Sequence, residues 1–406
     1  MKRTSRILAA FLLVAIVGTS CFFIGRSTMQ NKIDSKGPIF DLYEEIGTLL
    51  NQSYYKEVDT DKVADGALHG MVEALGDPYT QYMNSEELAE YNAASEESYE
   101  GIGVQVSKDE QGYPVIIRVF ANTPAEQTGL QVNDRILSID GQAIDPEQEL
   151  TVISNRIRGK KGTEVTLVVQ RNDQKKEFKA ERSEIAIQYV ESKMLNKEIG
   201  YIALSEFSLN CVEEFQTALQ DLQDKGAQAL ILDLRSNPGG YVDSAVAIAD
   251  MLLPSGKIVY TKDKNGNEQT YTSDAACVDL PMAVLINENS ASASEILVGA
   301  LQDHEAATVV GMKSYGKGVI QRILPISNGG GLRVTIATYY TPNGRNIHGV
   351  GITPDVEIQL PQEVLDDPTL LTEETDTQLK KAVEVMQQTL HPQPTPTASP
   401  QSTPAR

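Results

Sequence analysis

Apolar residues recur at helical spacing early in the chain. Ile39, Phe40, Tyr43, Ile46, Leu49 and Leu50 fall three and four apart, which predicts a helix. A second helical run, "DKVADGALHGMVEAL", ends at Gly76. "GDPYTQYM" reads as a turn, and a third helix is expected over residues 85–94. From Tyr99 the texture changes to strands and turns. "YEGIGVQVS" alternates, "PVIIRVF" is a buried strand, and "TPAEQTGLQVNDRILSIDGQAI" gives a short helix, a strand and a tight turn at Asp140-Gly141. "TEVTLVVQR" closes this small domain. From Ile185 strands alternate with helices: "IGYIALSEF", "VEEFQTALQDLQDKG", "ALILDL", "DSAVAIADMLL", "PMAVLIN" and a helix through "EILVGALQ". That alternation predicts an α/β layer domain. The strands "GVIQRIL" and "LRVTIATYY" follow, then a helix near residues 375–390 and a Pro-, Thr- and Ser-rich tail expected to be disordered.

The first residues belong to another class. Lys2, Arg3 and Arg6 precede an apolar stretch from Ile7 to Gly25. A positive flank before such a stretch reads as a signal-anchor or a signal peptide; its length favours a single-pass anchor, with everything after Arg26 outside the cytoplasm. The expected organisation is an anchor over 1–30, a helical region over 31–98, a small domain over 99–175, a core over 176–391 and the tail over 392–406. The net charge of −21 argues against a nucleic-acid partner and favours a self-repelling surface. Cys21, Cys211 and Cys277 fit no zinc spacing, so neither a metal nor another cofactor is expected.

Two stretches carry candidate chemistry. In "GIGV", Gly101-Ile102-Gly103-Val104, two glycines at the start of a strand let backbone N–H groups converge on a carboxylate; on its own the pair also reads as a hairpin turn. In "NENSASASEI", Ser290, Ser292 and Ser294 alternate with alanines at a strand-to-helix junction. A nucleophile there is exposed, and the helix start supplies N–H groups for an oxyanion. Helix capping explains the same residues. None of the four histidines, His69, His304, His348 and His391, is placed as a base, and His304 is expected to face solvent. A lysine serves if burial lowers its pKa. Lys317, between Gly316 and Gly318 and leading into an apolar strand, suits this better than Lys313 in its polar turn. If residues 317–321 are extended, Gln321 shares its face.

With "TPAEQTGLQVNDRILSIDG" downstream, "GIGV" resembles the PDZ domains of bacterial proteases, which implies capture of C-termini with an apolar last residue. The ordered series "LILDLRSNPGG", "VLINENSASASEILVGALQD", "YGKGVIQ" and "GRNIHGVGITPD" is similar to the carboxy-terminal processing proteases. The resemblance spans about residues 40–360 and implies a multidomain α+β protein: a helical N-terminal arm, a small barrel-like PDZ domain, and an α/β protease core of the ClpP/crotonase-like kind. It implies Ser292 as nucleophile, Lys317 as general base and Gln321 as its orienting amide. The oxyanion donors it implies are the backbone of Ala293 and of Gly239 or Gly240. Ser290 and Ser294 are then supports, and the helical arm is a route to homodimers. The expected activity is endoproteolysis of protein substrates outside a bacterial cytoplasm. A non-catalytic PDZ scaffold or chaperone at the membrane is the rival reading, against which the intact Ser292, Lys317 and Gln321 set speaks. Arg158, in "NRIRGKKG", is expected to lie in a solvated turn or to link the PDZ domain to the core or to a substrate carboxylate.

Overall fold

The computed structural model describes residues 38–392, apart from 95–97, 121 and 275. The basic and apolar N-terminal stretch and nearly all of the Pro-rich tail therefore lie outside the described residues, within which no helix is long and apolar enough to cross a membrane. Residues up to Asn84 and residues from Ser85 form two compact units.

The first unit holds helix α1 (Pro38–Ser53), helix α2 (Thr60–Glu73) and strand β1 (Gln81–Met83). Asp59 caps α2, its carboxylate accepting from Lys62 N–H. Where a plain turn was expected, "QYM" is a strand. Its Tyr82 hydroxyl and the Asn84 amide both donate to Asp65 of α2, at 2.7 and 2.9 Å. On α1 the predicted apolar positions are exposed, Ile39 at 67% and Ile46 at 56%.

The second unit opens with helix α3 (Ser85–Ala94), so the expected helical region of residues 31–98 divides between the two units. Strand β2 (Ser98–Gly101) then leads into the small domain. Strands β3 (Val104–Lys108), β4 (Pro114–Val119), β5 (Arg135–Ile139), β7 (Glu164–Arg171) and β8 (Gln174–Glu181) form an antiparallel sheet in that order, with β6 (Gln142–Ala143) beside β5. Helices α4 (Pro124–Thr128) and α5 (Leu150–Ile157) close it over Ile116, Ile136, Ile153 and Leu167. The sheet runs past the expected boundary at residue 175, because Asn172 and Asp173, both at positive φ, turn the chain into β8. That strand, "QKKEFKAE", shows little apolar alternation because it is a charged edge strand. β3 is the opposite edge. Arg182 is buried and donates to the Ile157 and Arg156 carbonyls, satisfying the end of α5. The chain leaves through β9 (Ser183–Ala186), which pairs with β2.

The core sheet is β10 (Val190–Met194), β11 (Ile199–Leu204), β12 (Ala229–Asp233), β15 (Met282–Ile286), β16 (Ala307–Gly311) and β19 (Val356–Glu357), parallel except at β10. All five residues of β12 and of β15 are buried, as strands covered on both faces require. Helices α6 (Cys211–Asp224), α7 (Val242–Leu252) and α8 (Ala293–Asp303) contribute to the cluster that covers one face. Helix α10 (Thr377–Leu390), preceded by the short α9 (Gln362–Asp366), covers the other. A second antiparallel sheet carries β17 (Val319–Pro325), β18 (Gly331–Tyr340), β13 (Gly256–Asp263) and β14 (Glu268–Ser273). The loops after β12 and β15 meet at the carboxyl ends of the parallel strands, where α/β sheets place their sites.

Candidate active site

Ser292 stands between β15 and α8 as the N-cap, at φ +55° and ψ −114°. A non-glycine residue there is strained and is held only by its surroundings. The serines on either side are locked. Ser290 is fully buried, donating to Leu234 C=O at 2.7 Å and accepting from Asn287 N–H at 3.0 Å. Ser294 is equally buried and donates to Asn237 C=O at 3.0 Å. Ser292 is half-buried and, of the three, lines a cleft of about 480 Å³.

Lys317 enters the same cleft from the loop before β17. It is half-buried, whereas Lys313 is exposed. A Cβ at Gly316 would lie 2.9 Å from the Gly351 nitrogen, and one at Gly318 would lie 2.6 Å from the His348 nitrogen. The two glycines thus let the loop press against residues 347–351, which fixes the lysine backbone between them. Burial pushes the Lys317 pKa below the ordinary lysine value; the Arg333 charge acts in the same direction and Glu295 opposes it.

Glu295, one turn into α8, joins the two loops. It is 1% exposed. Its Oε2 accepts from Ser292 N–H at 2.9 Å and Lys317 N–H at 2.8 Å. Its Oε1 accepts from Gly316 N–H at 2.7 Å and the Ser314 hydroxyl at 2.5 Å. Burial pushes the carboxyl pKa up, against these hydrogen bonds. On the carbonyl side, the Tyr339 hydroxyl lies 2.8 Å from Ser292 C=O and 2.6 Å from Lys317 C=O and donates to either. A carboxylate and a phenol therefore hold the backbones of Ser292 and Lys317 in register.

The "NPGG" loop after β12 borders the cleft through Pro238 and Gly240. Gly239 and Gly240 have φ of +106° and +134°. A Cβ on Gly239 would come within 2.7 Å of Ser292 Cβ, and one on Gly240 within 2.3 Å of Phe207 C=O. Only glycine fits either position. Asn237 is fully buried: its Nδ2 donates to Leu204 C=O at 2.8 Å, and its Oδ1 accepts from Gly239 N–H at 2.9 Å. The Asn237 carbonyl also accepts from Ala291 N–H at 3.0 Å. Upstream, Arg235 forks between Asp233 and Asp376, tying this loop to the N-cap of α10.

Gln321 lines the cleft with Lys317, and its Nε2 donates to Thr335 Oγ1 at 3.3 Å. Residues 317–321 are not one extended run, because β17 starts at Val319 and its pairing with β18 shifts register between Ile320 and Gln321. His304 does not face solvent as expected. It is half-buried at the end of α8, with Nε2 2.7 Å from Lys257 C=O, because β13 packs over it. In the small domain Gly101, Ile102 and Gly103 are buried and Val104 opens the edge strand β3. The Ile102 and Gly103 carbonyls accept from Ala125 and Phe120 N–H. Arg158 is exposed at the end of α5, its guanidinium 4.8 Å from the centre of the Tyr99 ring on β2. Sequence reasoning missed Glu295, Asn237 and Tyr339. The first had a signal, since Ser292-x-x-Glu295 is capping-box spacing.

The pattern of peptidase family S41 matches residues 198–358, that of the PDZ domain residues 101–181, and that of the activating protease CtpB N-terminal domain residues 26–87. The chain is 36% identical over 340 residues to the carboxy-terminal processing protease CtpB of Bacillus subtilis, covering 82% of this chain and 70% of that protein. It is 34% identical over 364 residues to a CtpA-like serine protease of Staphylococcus aureus, covering 88% and 72%. Among solved structures, the photosystem II D1 C-terminal processing protease superposes with a TM-score of 0.50 at 27% identity, over 84% of this chain and 93% of that one. Sharing over a third of its aligned residues with such a relative across most of both chains, the protein belongs to peptidase family S41, as a carboxy-terminal processing serine protease.

Proposed function

We propose that the chain is a membrane-anchored endopeptidase working outside the cytoplasm with a Ser292–Lys317 dyad. The observation that carries this is the pairing, in one cleft, of a strained N-cap serine with a half-buried lysine whose pKa is depressed. The Lys317 amine takes the Ser292 proton as the Ser292 oxygen attacks the peptide carbonyl. The resulting oxyanion is held by the Ala293 N–H and by a glycine of the "NPGG" loop. Gly239 N–H is committed to Asn237, and Gly240 faces the cleft, so Gly240 is the better donor. Lys317 returns the proton to the leaving amine, and then activates the water that frees the acyl-enzyme. Donation of Gln321 Nε2 to Thr335 leaves its Oε1 to accept from the lysine amine and aim its lone pair at Ser292.

In this reading the PDZ domain receives the substrate tail along β3, with its carboxylate at Gly101–Val104 and an apolar last residue preferred. Arg158, stacked on Tyr99, stiffens the β2–β9 ribbon through which the PDZ domain joins the core. The basic-then-apolar N-terminus is the anchor, and the exposed apolar side chains of α1 are the surface for a second copy. The test is degradation of an unfolded reporter with an apolar C-terminal residue by wild type, Ser292→Ala and Lys317→Ala. Loss with wild type alone is expected; cleavage by Ser292→Ala overturns the dyad.

A further inference from the structure

The "NPGG" loop is held from two sides, and the mechanism above draws on one of them. Asn237 pins it from inside the core. At its entrance stands Arg235, two residues past the end of β12. A guanidinium has five N–H groups, and here all five are taken. Nε donates to Asp233 at 3.0 Å. Nη1 donates to Asp376 Oδ1 at 3.0 Å and to Gln378 Oε1 at 3.1 Å. Nη2 donates to Asp233 Oδ2 at 2.6 Å and to Asp376 Oδ2 at 2.8 Å. These acceptors are held in turn. The Tyr201 hydroxyl donates to Asp233 at 2.8 Å, Asp376 accepts from Leu379 N–H at 2.8 Å as the N-cap of α10, and Gln378 Nε2 donates to Ile358 C=O at 2.9 Å. The Arg235 side chain is 12% exposed, and Asp233, Asp376 and Gln378 are buried.

An arginine so committed has no N–H left for a substrate, so it acts on its own backbone. That backbone leads directly into residues 236–240, of which Ser236, Gly239 and Gly240 are at positive φ. A path of that kind persists only where the surroundings over-determine it. Ser236 is tied sideways as well, its N–H donating at 2.8 Å to the Asn287 side chain in the loop before Ser292. A buried ion triad adds little net stability, because the cost of desolvating three charges offsets their attraction, whereas a planar fork of five bonds fixes one geometry. Of the three side chains that close the fork, Asp376 and Gln378 lie beyond residue 358, where the S41 pattern ends. The last helix of the described residues therefore reaches back to the loop that carries Gly240.

We propose that Asp376 is a positioning residue for the reaction: through Arg235 it sets the entry of the 236–240 loop, and so the place of the Gly240 N–H against the oxyanion. This rests on Gly240 being an oxyanion donor, as argued above. The segment after residue 358 then belongs to the catalytic apparatus as well as to the cover of the sheet.

The experiment uses the full chain and the unfolded reporter with an apolar C-terminal residue, over a concentration series that separates kcat from KM. Asp376→Asn is the main variant, because asparagine caps a helix as well as aspartate does but leaves Arg235 short of one charge and one acceptor oxygen. Leu379→Ala is its control: it loosens α10 against the same sheet without removing any partner of Arg235. Asp376→Asn is expected to lower kcat about tenfold with KM within about twofold of wild type, less than the roughly 10²–10³-fold of losing an oxyanion donor outright, since the donor is displaced and not removed. Arg235→Lys should fall as far, because an ammonium cannot bridge both carboxylates in one plane. Leu379→Ala should keep the wild-type kcat at a lower Tm. The second readout is amide hydrogen exchange over residues 236–241, measured in a Ser292→Ala background, which Asp376→Asn should speed about tenfold and Leu379→Ala should leave alone. An unchanged kcat in Asp376→Asn, an equal fall in Leu379→Ala, a loss carried by KM alone, or loop exchange that Asp376→Asn does not move overturns the proposal. Cleavage by Ser292→Ala refutes the dyad, while the exchange still decides the role of Asp376.

Discussion

Two glycine pairs, one in the PDZ domain and one in the protease core, stand where the proposed mechanism needs an anion to be held, and the protein holds them differently. In the core, Gly239 and Gly240 both have positive φ, and buried Asn237 pins the loop through its amide and its carbonyl. In the PDZ domain only Gly103 of the pair has positive φ, and the loop is tied by the Ile102 and Gly103 carbonyls to Ala125 and Phe120. The contrast fits what each loop is proposed to bind. In the proposed mechanism the core loop meets a charge that exists only during reaction, so its donors must be in place beforehand. The PDZ loop is proposed to meet a permanent carboxylate, whose chain would add hydrogen bonds along the edge strand β3 and gain affinity from the strand as a whole.

The sharpest challenge to this contrast is Gly240→Ala. Its Cβ would meet Phe207 C=O at 2.3 Å, so kcat/KM should fall about 10²–10³-fold, the loss of one oxyanion donor. If fluorescence anisotropy showed tail-peptide affinity falling as far, the two loops would not be separate devices. Asn237→Ala should cost about 3 kcal/mol in urea unfolding, since it orphans the buried Leu204 C=O and Gly239 N–H at 1–3 kcal/mol each. A cost below about 1 kcal/mol would mean the loop holds itself. Glu295→Gln places an amide donor against one or two backbone N–H groups, according to which oxygen it replaces, and about 100-fold in kcat/KM is expected from the misplaced dyad. Its pH profile separates positioning from simple damage. In the proposed mechanism the active form of Lys317 is the free amine, so activity should climb with pH through a lysine pKa below the ordinary range. Glu295 raises that pKa, so its neutralisation should move the acid limb to lower pH. The smallest effect is expected at Gly103→Ala. Its Cβ would sit 2.3 Å from Thr123 Cβ, and about tenfold in tail-peptide affinity should be lost as the loop shifts.

The helices and the strands buried on both faces were readable from periodicity. "ALILDL" and "VEEFQTALQDLQDKG" carry their signals locally, and the serine cluster does sit at a strand-to-helix junction. Edge strands such as β8 and β10 escaped, because side chains turned to solvent have no apolar pattern to keep. The β13–β14 hairpin escaped although Asn265-Gly266 marks its turn. In the site, Lys317 is reached by elimination of the histidines and by family resemblance, while Glu295 carries no local mark beyond its capping-box spacing to Ser292. Its tie to Ser314, Gly316 and Lys317 joins residues about twenty positions apart, and no local pattern encodes that.

The backbone at Ser292 has a consequence for how this protein can change. A residue at φ +55° and ψ −114° costs of the order of 1–3 kcal/mol, and glycine would relieve most of it. Directed evolution scored on heat resistance alone would therefore tend to erase the hydroxyl and keep the fold. With Ser292 as the proposed nucleophile, the instability at this one position is inherited together with the activity, and thermostable descendants should gain their margin elsewhere.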